Sequence, residues 1–308
     1  MNFPAPNQDV IARWLNIAKF LGIPEEAYNP EVRVIRDTSG KSNYLFGAIL
    51  NENRSLRPLD SLKNKMDCPL CGAVEDTKEE PGRRLDADSE LKGYVVVPNI
   101  FPAKLGHSMA VTEGTRELEE PMYTTQNLDY VAEEMRKVFA YCTKVGFQAF
   151  HNGKGSGASV PNHEHWHLTN WHATFSTAGQ IYGFESAETE EAGICSVRKM
   201  PEFPFAHLIF HQDEPDRIIK FLKDLQDEIG RRYKEGEVPH IVCQGLLGIL
   251  VAPFKNYLGK GSIGSGDVAG HIVFKNRTEF EQADYGFCAN KLNKQLFKSG
   301  EIDLTKFL

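Results

Sequence analysis

Hydrophobic and polar positions follow one another along this chain in patterns that predict both helices and strands. From Asn7 to Leu21 apolar residues recur at steps of three and four, which predicts an amphipathic helix. A longer stripe of the same kind predicts a second helix over residues 125–145. The charged stretch 75–92 is typical of a solvated loop. Short apolar runs predict strands over residues 32–35, 44–50, 94–98 and 108–112, the first two forming a hairpin.

The C-terminal part of the chain shows a similar order of elements. After a polar stretch at 185–199, the pattern predicts a strand over residues 205–210 and a helix over residues 215–233. Strands over residues 241–244, 248–254 and 271–274 and a closing helix over residues 278–297 are predicted to follow. We therefore expect an α+β protein in which long helices pack against antiparallel sheet strands.

Half of the ten histidines lie between Phe147 and His172. Residues 162–168 read Asn-His-Glu-His-Trp-His-Leu. Alternate side chains of an extended strand share a face, so His163, His165 and His167 are expected to line up on one side. A row of imidazoles suits either metal chelation or nucleophilic attack on phosphorus.

The segment before this row favours attack on phosphorus. Residues 152–159 read Asn-Gly-Lys-Gly-Ser-Gly-Ala-Ser. The backbone N–H groups of the glycines, the ammonium of Lys154 and the hydroxyls of Ser156 and Ser159 can hold phosphate oxygens. The run has neither Walker A spacing nor a dinucleotide-binding fingerprint, so its significance comes from its position beside the histidines. Together the two motifs predict phosphoryl or nucleotidyl transfer.

Composition and charge exclude several classes of protein. The 308 residues carry 35 Lys and Arg against 42 Asp and Glu, and the formal charge of −7 argues against general binding to nucleic acid or to anionic membranes. Six cysteines are too sparse for a disulfide framework, and the N-terminus lacks the pattern of a secretory leader. The longest apolar stretch is about half of the ~20 residues that a membrane helix needs. We therefore predict a reducing, cytoplasmic location.

The motifs resemble those of the histidine-triad superfamily, whose signature is His-x-His-x-His. They are most similar to the branch that contains galactose-1-phosphate uridylyltransferase, the GDP-hexose phosphorylases and the dinucleoside tetraphosphate phosphorylases. Residues 99–111, which include the order Asn-x-x-Pro-x-x-x-Gly-His, and residues 157–165 are similar to stretches of these enzymes. Residues 50–58 and 270–274 are similar to the GDP-hexose phosphorylases in particular.

The resemblance implies a HIT-like fold built from two related halves. Residues 1–195 would form the catalytic half, which carries the histidine motif. Residues 196–308 would form a second HIT-like half without catalytic histidines, because no histidine cluster stands on its predicted strand over residues 248–254.

The resemblance also implies roles for the histidines. His165 would be the nucleophile that forms a covalent nucleotidyl-histidine intermediate. His163 would support it, with its backbone carbonyl as the acceptor for the second ring nitrogen of His165. His167 stands where the transferases and phosphorylases carry Gln and the smaller hydrolases carry His, which leaves transfer and hydrolysis as alternatives. The expected substrate- and phosphate-binding residues are Asn152, Lys154, Gly155, Ser156, Gly157, Ser159 and Arg54.

Cys68 and Cys71 form a Cys-x-x-Cys pair. In the uridylyltransferases such a pair binds zinc with two histidines, one of them the first of the histidine motif, which implies His163 as a ligand here. Residues such as Gly114 and Thr115 stand where a fourth ligand is expected. A structural zinc is the cofactor that the resemblance implies, and two reduced cysteines in a turn are the alternative.

The resulting hypothesis is a nucleotidyltransferase or phosphorylase that acts on a nucleoside diphosphate sugar or a similar nucleotide. One alternative is a dinucleoside polyphosphate phosphorylase or hydrolase of the Ap4A type. Another is a non-catalytic zinc- or nucleotide-binding module. The expected partners are the nucleotide or nucleotide-sugar substrate and phosphate, without nucleic acid or membrane, and a homodimer is among the expected assemblies.

Overall fold

The structure is a computed structural model that describes residues 5–40, 44–53, 69–86, 91–113, 128–153, 155–156, 163–170, 188–192, 195–199, 203–211, 214–233, 238–245, 248–256 and 263–308. Its helices are α1 (Gln8–Phe20), α2 (Glu25–Tyr28), α3 (Pro69–Glu79), α4 (Leu128–Val145), α5 (Pro215–Ile229), α6 (Ser265–Val268), α7 (Arg277–Gln282) and α8 (Tyr285–Asn293). Its strands are β1 (Glu31–Ile35), β2 (Phe46–Leu50), β3 (Tyr94–Pro98), β4 (Ser108–Thr112), β5 (Gln148–Asn152), β6 (His165–Thr169), β7 (Glu188–Ala192), β8 (Cys195–Lys199), β9 (Leu208–Phe210), β10 (His240–Gly245), β11 (Gly248–Pro253) and β12 (His271–Phe274).

A nine-stranded antiparallel sheet forms the centre of the molecule, in the order β3-β4-β6-β5-β10-β11-β9-β8-β7. The strands β5 and β10 pair antiparallel, and outward from them β6 and β4 on one side correspond to β11 and β9 on the other. Each side has the same connectivity of strand, long helix and two-stranded hairpin, with α4 in the first series and α5 in the second. The division of the chain at residue 195 into two related halves stays a prediction, and this strand order supports it.

Helices α1, α4 and α5 cover one face of the large sheet. Their apolar stripes supply side chains such as Trp14, Phe139 and Leu225 to a continuous core that also contains Trp166 of β6 and Val251 of β11. These side chains recur at helical spacing on one side of each helix, so most of the charged residues between them remain outside. Glu134 of α4, which is buried, is an exception. The strand β6 is therefore held to the helices through its even-numbered residues.

The opposite face of the sheet has two separate covers. A small sheet in the order β1-β2-β12, together with α6, α7 and α8, packs on β10 and β11 through residues such as Ile241 and Leu250. Helix α3 packs on β3 and β4, where Leu70 and Val74 meet Met109. Strand β6 lies between the strands that these two covers contact, and its odd-numbered residues lie on this face.

The predicted α+β class with antiparallel strands is confirmed, and most of the predicted elements are present. Two expectations are wrong. Residues 75–79 belong to α3 instead of a loop, because Leu70 and Val74 stand one helical turn apart and pack on the sheet. The closing helix is broken at Ala283, since Asp284 caps a new helix by accepting from the N–H of Phe287. In addition, the polar stretch 185–199, over which no element is predicted, contains the hairpin of β7 and β8.

None of the helices in the described part of the chain is both long and apolar enough to span a lipid bilayer.

Candidate active site

His165 and His167 lie on the sheet face opposite the long helices. Across β4 and β6, Val111 is paired with His165 and Met109 with His167, and directly paired residues share a face. Trp166, between the two histidines, points the other way into the helix-covered core, where its ring meets Phe139 edge-on at 5.6 Å between centroids. The fully buried Trp166 therefore fixes the side of β6 on which the two histidines stand.

The ring of His165 is oriented by the backbone two residues before it. Nδ1 of His165 lies 2.8 Å from the carbonyl oxygen of His163, which is the hydrogen bond that the resemblance implies. A carbonyl oxygen only accepts, so Nδ1 carries the proton and the lone pair of the neutral ring is on Nε2. The ring of His167 packs edge-on against this ring at 5.2 Å between centroids. A histidine of defined tautomer is what nucleophilic attack on phosphorus requires.

His163 departs from the predicted row of three. Strand β6 begins at His165, so His163 lies in the turn before it. Nε2 of His163 donates to the carbonyl of Thr112 at 3.2 Å, and Nδ1 lies 3.2 Å from Sγ of Cys71 in α3. The prediction that His163 shares a strand face with the other two is wrong, because the turn directs its ring toward α3 instead.

Cys71 and His163 fit one half of a zinc site. The lone pair on Nδ1 of His163 faces Sγ, and the hydrogen bond from Nε2 to Thr112 is the kind of outer contact that orients a metal-binding histidine. Sulfur and nitrogen ligands of tetrahedral zinc stand about 3.5 Å apart, close to the observed 3.2 Å. Cys68 lies outside the described residues, among which no group of three or more potential ligands occurs. The zinc site stays a prediction.

A further histidine, His107, enters the site from the loop before β4. The backbone N–H of Ala103 donates to Nδ1 of His107 at 3.0 Å, so the proton of this ring is on Nε2. That nitrogen lies 3.0 Å from Nδ1 of His167 and donates to it. The proton of neutral His167 is therefore on its own Nε2. The indole of Trp14 donates to the His107 carbonyl at 3.1 Å and ties α1 to the site.

The segment of His107 carries a recognisable motif, but the motif does not predict that His107 lies in the site. The signal is its order Asn-x-x-Pro-x-x-x-Gly-His. The Asn99 side chain accepts from the N–H of Phe101 at 2.9 Å and shapes the start of the loop. Gly106 has φ 80°, and a Cβ there would lie 2.7 Å from the side chain of Asn170. These requirements of the loop place His107 opposite His167.

The start of the predicted phosphate turn is held by residues from the C-terminal part of the chain. Asn152 Oδ1 accepts the N–H of Ser265 at 2.7 Å, so its Nδ2 is the group left to donate. The N–H of Gly153 donates to the carbonyl of His240 at 3.0 Å, and a Cβ on Gly153 would lie 2.9 Å from that oxygen. The hydroxyl of Ser156 donates back to the carbonyl of Gly153 at 2.5 Å, which closes the turn.

The structure places several of the predicted site residues close together. Phe150 is paired with His167 across β5 and β6, so Asn152, two residues further on, is the cross-strand neighbour of His165. Gly155, with φ 72°, and Ser156 belong to the turn that leaves β5. The predicted residues Arg54, Cys68, Lys154, Gly157 and Ser159 lie outside the described residues.

Two histidines next to the site, one buried and one half-buried, have lowered pKa values. Burial lowers the pKa of His151, and the rings of His240 and His165 lower it further. Burial also lowers the pKa of His240, whose Nδ1 donates to the carbonyl of Val238 at 3.1 Å. The His151 ring packs beside Trp166 at 4.6 Å between centroids. Neither histidine supplies positive charge to a phosphate at neutral pH.

The fold is similar to that of solved structures of a yeast enzyme. The solved structure of yeast Ap4A phosphorylase Apa2 superposes with a TM-score of 0.64 at 14% sequence identity, over 97% of this chain and 97% of the yeast chain. Its complex with Ap4A gives a TM-score of 0.62 at 15% identity, over 94% and 97% of the chains. Its complex with AMP gives 0.61 at 14% identity, over 94% and 96%.

No protein-family model matches the sequence, and no curated protein matches it either. The likeness to the yeast enzyme confirms the predicted fold. At such low sequence identity the likeness establishes the fold, and the chemistry is argued from the site itself.

Proposed function

We propose that this protein is a nucleotidyltransferase of the phosphorylase type, in which Nε2 of His165 attacks the α-phosphorus of a nucleotide. The observation that carries the proposal is the 2.8 Å hydrogen bond from Nδ1 of His165 to the carbonyl of His163. This bond defines which nitrogen is the nucleophile and the direction of its lone pair. The adjacent phosphate turn, which begins at Asn152, supports phosphorus as the target.

The reaction would proceed by double displacement. In the first step a bond forms between Nε2 and the α-phosphorus, and the bond from that phosphorus to the oxygen of the leaving group breaks. In the second step an oxygen of inorganic phosphate attacks the same phosphorus, and the bond to Nε2 breaks. The imidazole ring is positively charged in the intermediate, and the carbonyl of His163 stabilises that charge through the proton on Nδ1.

His167 would stabilise the negative charge that develops on the phosphoryl or leaving oxygen. His107 holds His167 in the tautomer with a proton on Nε2, and the His167 ring is adjacent to that of His165. Nδ2 of Asn152 is a second donor, because Ser265 occupies its Oδ1. We assign Lys154 and the N–H groups of Gly155 and Gly157 to the remaining phosphoryl oxygens, as the sequence predicts.

The substrate class that we propose is a dinucleoside polyphosphate of the Ap4A type, with phosphate as the acceptor. Support comes from the fold, which corresponds to that of yeast Ap4A phosphorylase over 97% of both chains. A nucleoside diphosphate sugar is the second candidate, favoured by residues 50–58 and 270–274. A hydrolase is the third, favoured by histidine in place of glutamine at His167.

Product analysis with and without phosphate separates these candidates. With Ap4A and phosphate, the proposed enzyme releases ATP and ADP, since ATP leaves in the first step and phosphate collects AMP in the second. A hydrolase releases ATP and AMP without phosphate. Phosphate-dependent release of a hexose 1-phosphate from GDP- or UDP-hexose identifies the sugar-nucleotide enzyme. Absence of turnover on all of these substrates contradicts the proposal.

A further inference from the structure

A buried glutamate, Glu164, separates His163 from His165. Its side chain is 1% exposed and lies on the helix-covered side of the sheet, where the next alternate residues of the strand, Trp166 and Leu168, are apolar. A carboxyl group in such surroundings is stable only when hydrogen bonds replace its water. Glu164, just before β6, therefore differs from the apolar residues that follow it on this side of the sheet.

The partner of Glu164 is the phenol of Tyr94 on β3. Tyr94 Oη donates to Glu164 Oε1 at 3.0 Å, and both side chains are almost completely buried. Burial raises the pKa of Tyr94, and the carboxylates of Glu164 and Glu134 raise it further, so the phenol keeps its proton and remains a donor. Glu134, on α4, is itself paired with Lys137 at 2.9 Å. These contacts thus connect the edge strand β3 and helix α4 to Glu164, the residue between His163 and His165.

The backbone of the same short segment is bound on its other side to Thr112. The N–H of Thr112 donates to the Glu164 carbonyl at 3.3 Å, and its carbonyl accepts from Nε2 of His163 at 3.2 Å. The preceding carbonyl, that of His163, is the one that accepts from Nδ1 of His165. A rotation of the peptide between residues 163 and 164 would move this carbonyl away from the ring. The side chain of Glu164 is attached directly to that peptide.

We propose that Glu164 is a positioning residue for the nucleophile. Its buried hydrogen bond with Tyr94 holds the segment from His163 to His165 so that His165 keeps its proton on Nδ1 and directs Nε2 to phosphorus. Glu164 touches neither substrate nor reacting atoms. The inference rests on the proposed role of His165 and deepens it.

Four single substitutions test the inference. Tyr94→Phe removes the donor. Glu164→Leu removes the acceptor and puts an apolar side chain of similar length in its place. Glu164→Gln keeps an oxygen acceptor for the phenol. Tyr233→Phe is the matched control, since it removes another buried phenol hydrogen bond, from Tyr233 Oη to the carbonyl of Phe254 at 2.6 Å, in the C-terminal part of the chain.

The measurements are the rate constant of nucleotidylation in a single turnover with Ap4A, the nucleotide Kd and the tautomer of His165 from ¹⁵N NMR. Tyr94→Phe and Glu164→Leu are expected to slow nucleotidylation about tenfold or more, because small misplacements of a nucleophile have large effects on rate. Their Kd should stay within about twofold, and the Nδ1-protonated form of His165 should lose population. Glu164→Gln and Tyr233→Phe should stay within about threefold of the wild-type rate.

Unchanged rates and an unchanged tautomer in Tyr94→Phe and Glu164→Leu would overturn the inference, as would an equal loss of rate in Tyr233→Phe. Thermal unfolding shows whether each variant folds, and if Glu164→Leu does not, Tyr94→Phe decides. Should the wild-type protein form no nucleotidyl-histidine, the proposed function fails. The NMR comparison of wild type and Tyr94→Phe then still decides whether the network controls the His165 ring.

Discussion

Strands β6 and β11 occupy corresponding places on the two sides of the central pair of strands, yet their faces opposite the long helices have contrasting chemistry. On β6 this face carries His165 and His167. On β11 it carries Leu250 and Ala252, which are fully buried beneath the small sheet and its helices. The same backbone arrangement therefore supports a candidate catalytic site where polar side chains meet a phosphate turn, and a hydrophobic core where a second layer packs on it.

The histidines that precede β4 and β9 show the same contrast. His107 accepts a backbone N–H on Nδ1 and directs its Nε2 proton to His167. His207 instead donates from Nδ1 to the carbonyl of Phe205 at 3.0 Å, and its ring packs against Phe203 at 4.4 Å between centroids. The two rings have opposite tautomers because their local backbone partners are of opposite polarity. One serves the site, and the other belongs to an aromatic cluster.

The largest expected difference between the two regions is in turnover. His165→Asn should lower kcat for Ap4A by about a thousandfold or more, because it removes the nucleophile. His207→Asn, in the other region, should retain kcat within about threefold and lose mainly stability. Steady-state assays with phosphate measure both. Full activity of the His165→Asn protein, or a comparable loss in His207→Asn, would remove the functional distinction between the two regions.

Substitutions on the two strands should affect different properties, the reaction rate on β6 and the stability of the fold on β11. His167→Ala is expected to lower kcat about a hundredfold, as removal of a transition-state donor does, with little change in unfolding free energy. Leu250→Ala should instead lower the unfolding free energy by about 2–5 kcal/mol, because it opens a cavity in a packed cluster. Urea denaturation and steady-state kinetics on both variants provide the test. The opposite result, in which His167→Ala lowers mainly stability and Leu250→Ala lowers mainly kcat, would contradict this assignment of the two strands.

Metal content tests the pairing of Cys71 with His163. We expect purified protein to contain about one zinc per chain and Cys71→Ser to lose most of it. The matched control is Cys243→Ala, since the Cys243 thiol is buried on β10, beneath α6. Turnover of Cys71→Ser should fall no more than about tenfold, because Cys71 contacts the ring of His163 and not its carbonyl. Metal-free, fully active wild-type protein would identify Cys71 as a reduced thiol.

The smallest expected effect concerns the pH dependence of stability. Burial lowers the pKa of His151 in the folded protein, so the unfolded chain binds a proton first, near pH 6.5. Stability is therefore highest above about pH 6.5 and falls, as pH decreases toward the folded pKa, by up to about 1.4 kcal/mol per pH unit for this group.

Denaturation of His151→Gln at several pH values between 5 and 8 should show a shallower dependence than the wild type. His211→Gln changes an exposed histidine in the C-terminal part of the chain and is the control. An identical slope in wild type and His151→Gln would show that His151 does not contribute.

Local patterns in the sequence predict most of the elements. Helix α1, strands β3 and β4 and the alternation of His165 with Trp166 follow directly from spacing, because helical and extended periods differ. The hydrogen bond from His165 to the His163 carbonyl is also present as expected. These features depend on residues close together in the chain.

Features that depend on distant contacts could not be predicted in this way. The parallel pairing of β12 with β2 joins residues more than two hundred positions apart, and no local pattern specifies it. His163 lies outside the strand, and its ring contacts Thr112 and Cys71. The residues next to His163 in the sequence do not indicate either contact. His107 and Ser265 enter the site through loops whose course is set by tertiary contacts. Helix α3 was not predicted, because the charged residues on its outer face give this stretch the composition of a solvated loop.

The most direct test of the central claim is to locate the nucleotidyl group on the protein. Ap4A is mixed with enzyme in the absence of phosphate, and the trapped protein is digested and sequenced by tandem mass spectrometry. We expect one added AMP per chain, bonded to His165, and its release as ADP when phosphate is supplied. An adduct on another residue, or turnover without any covalent intermediate, would contradict nucleophilic attack by His165.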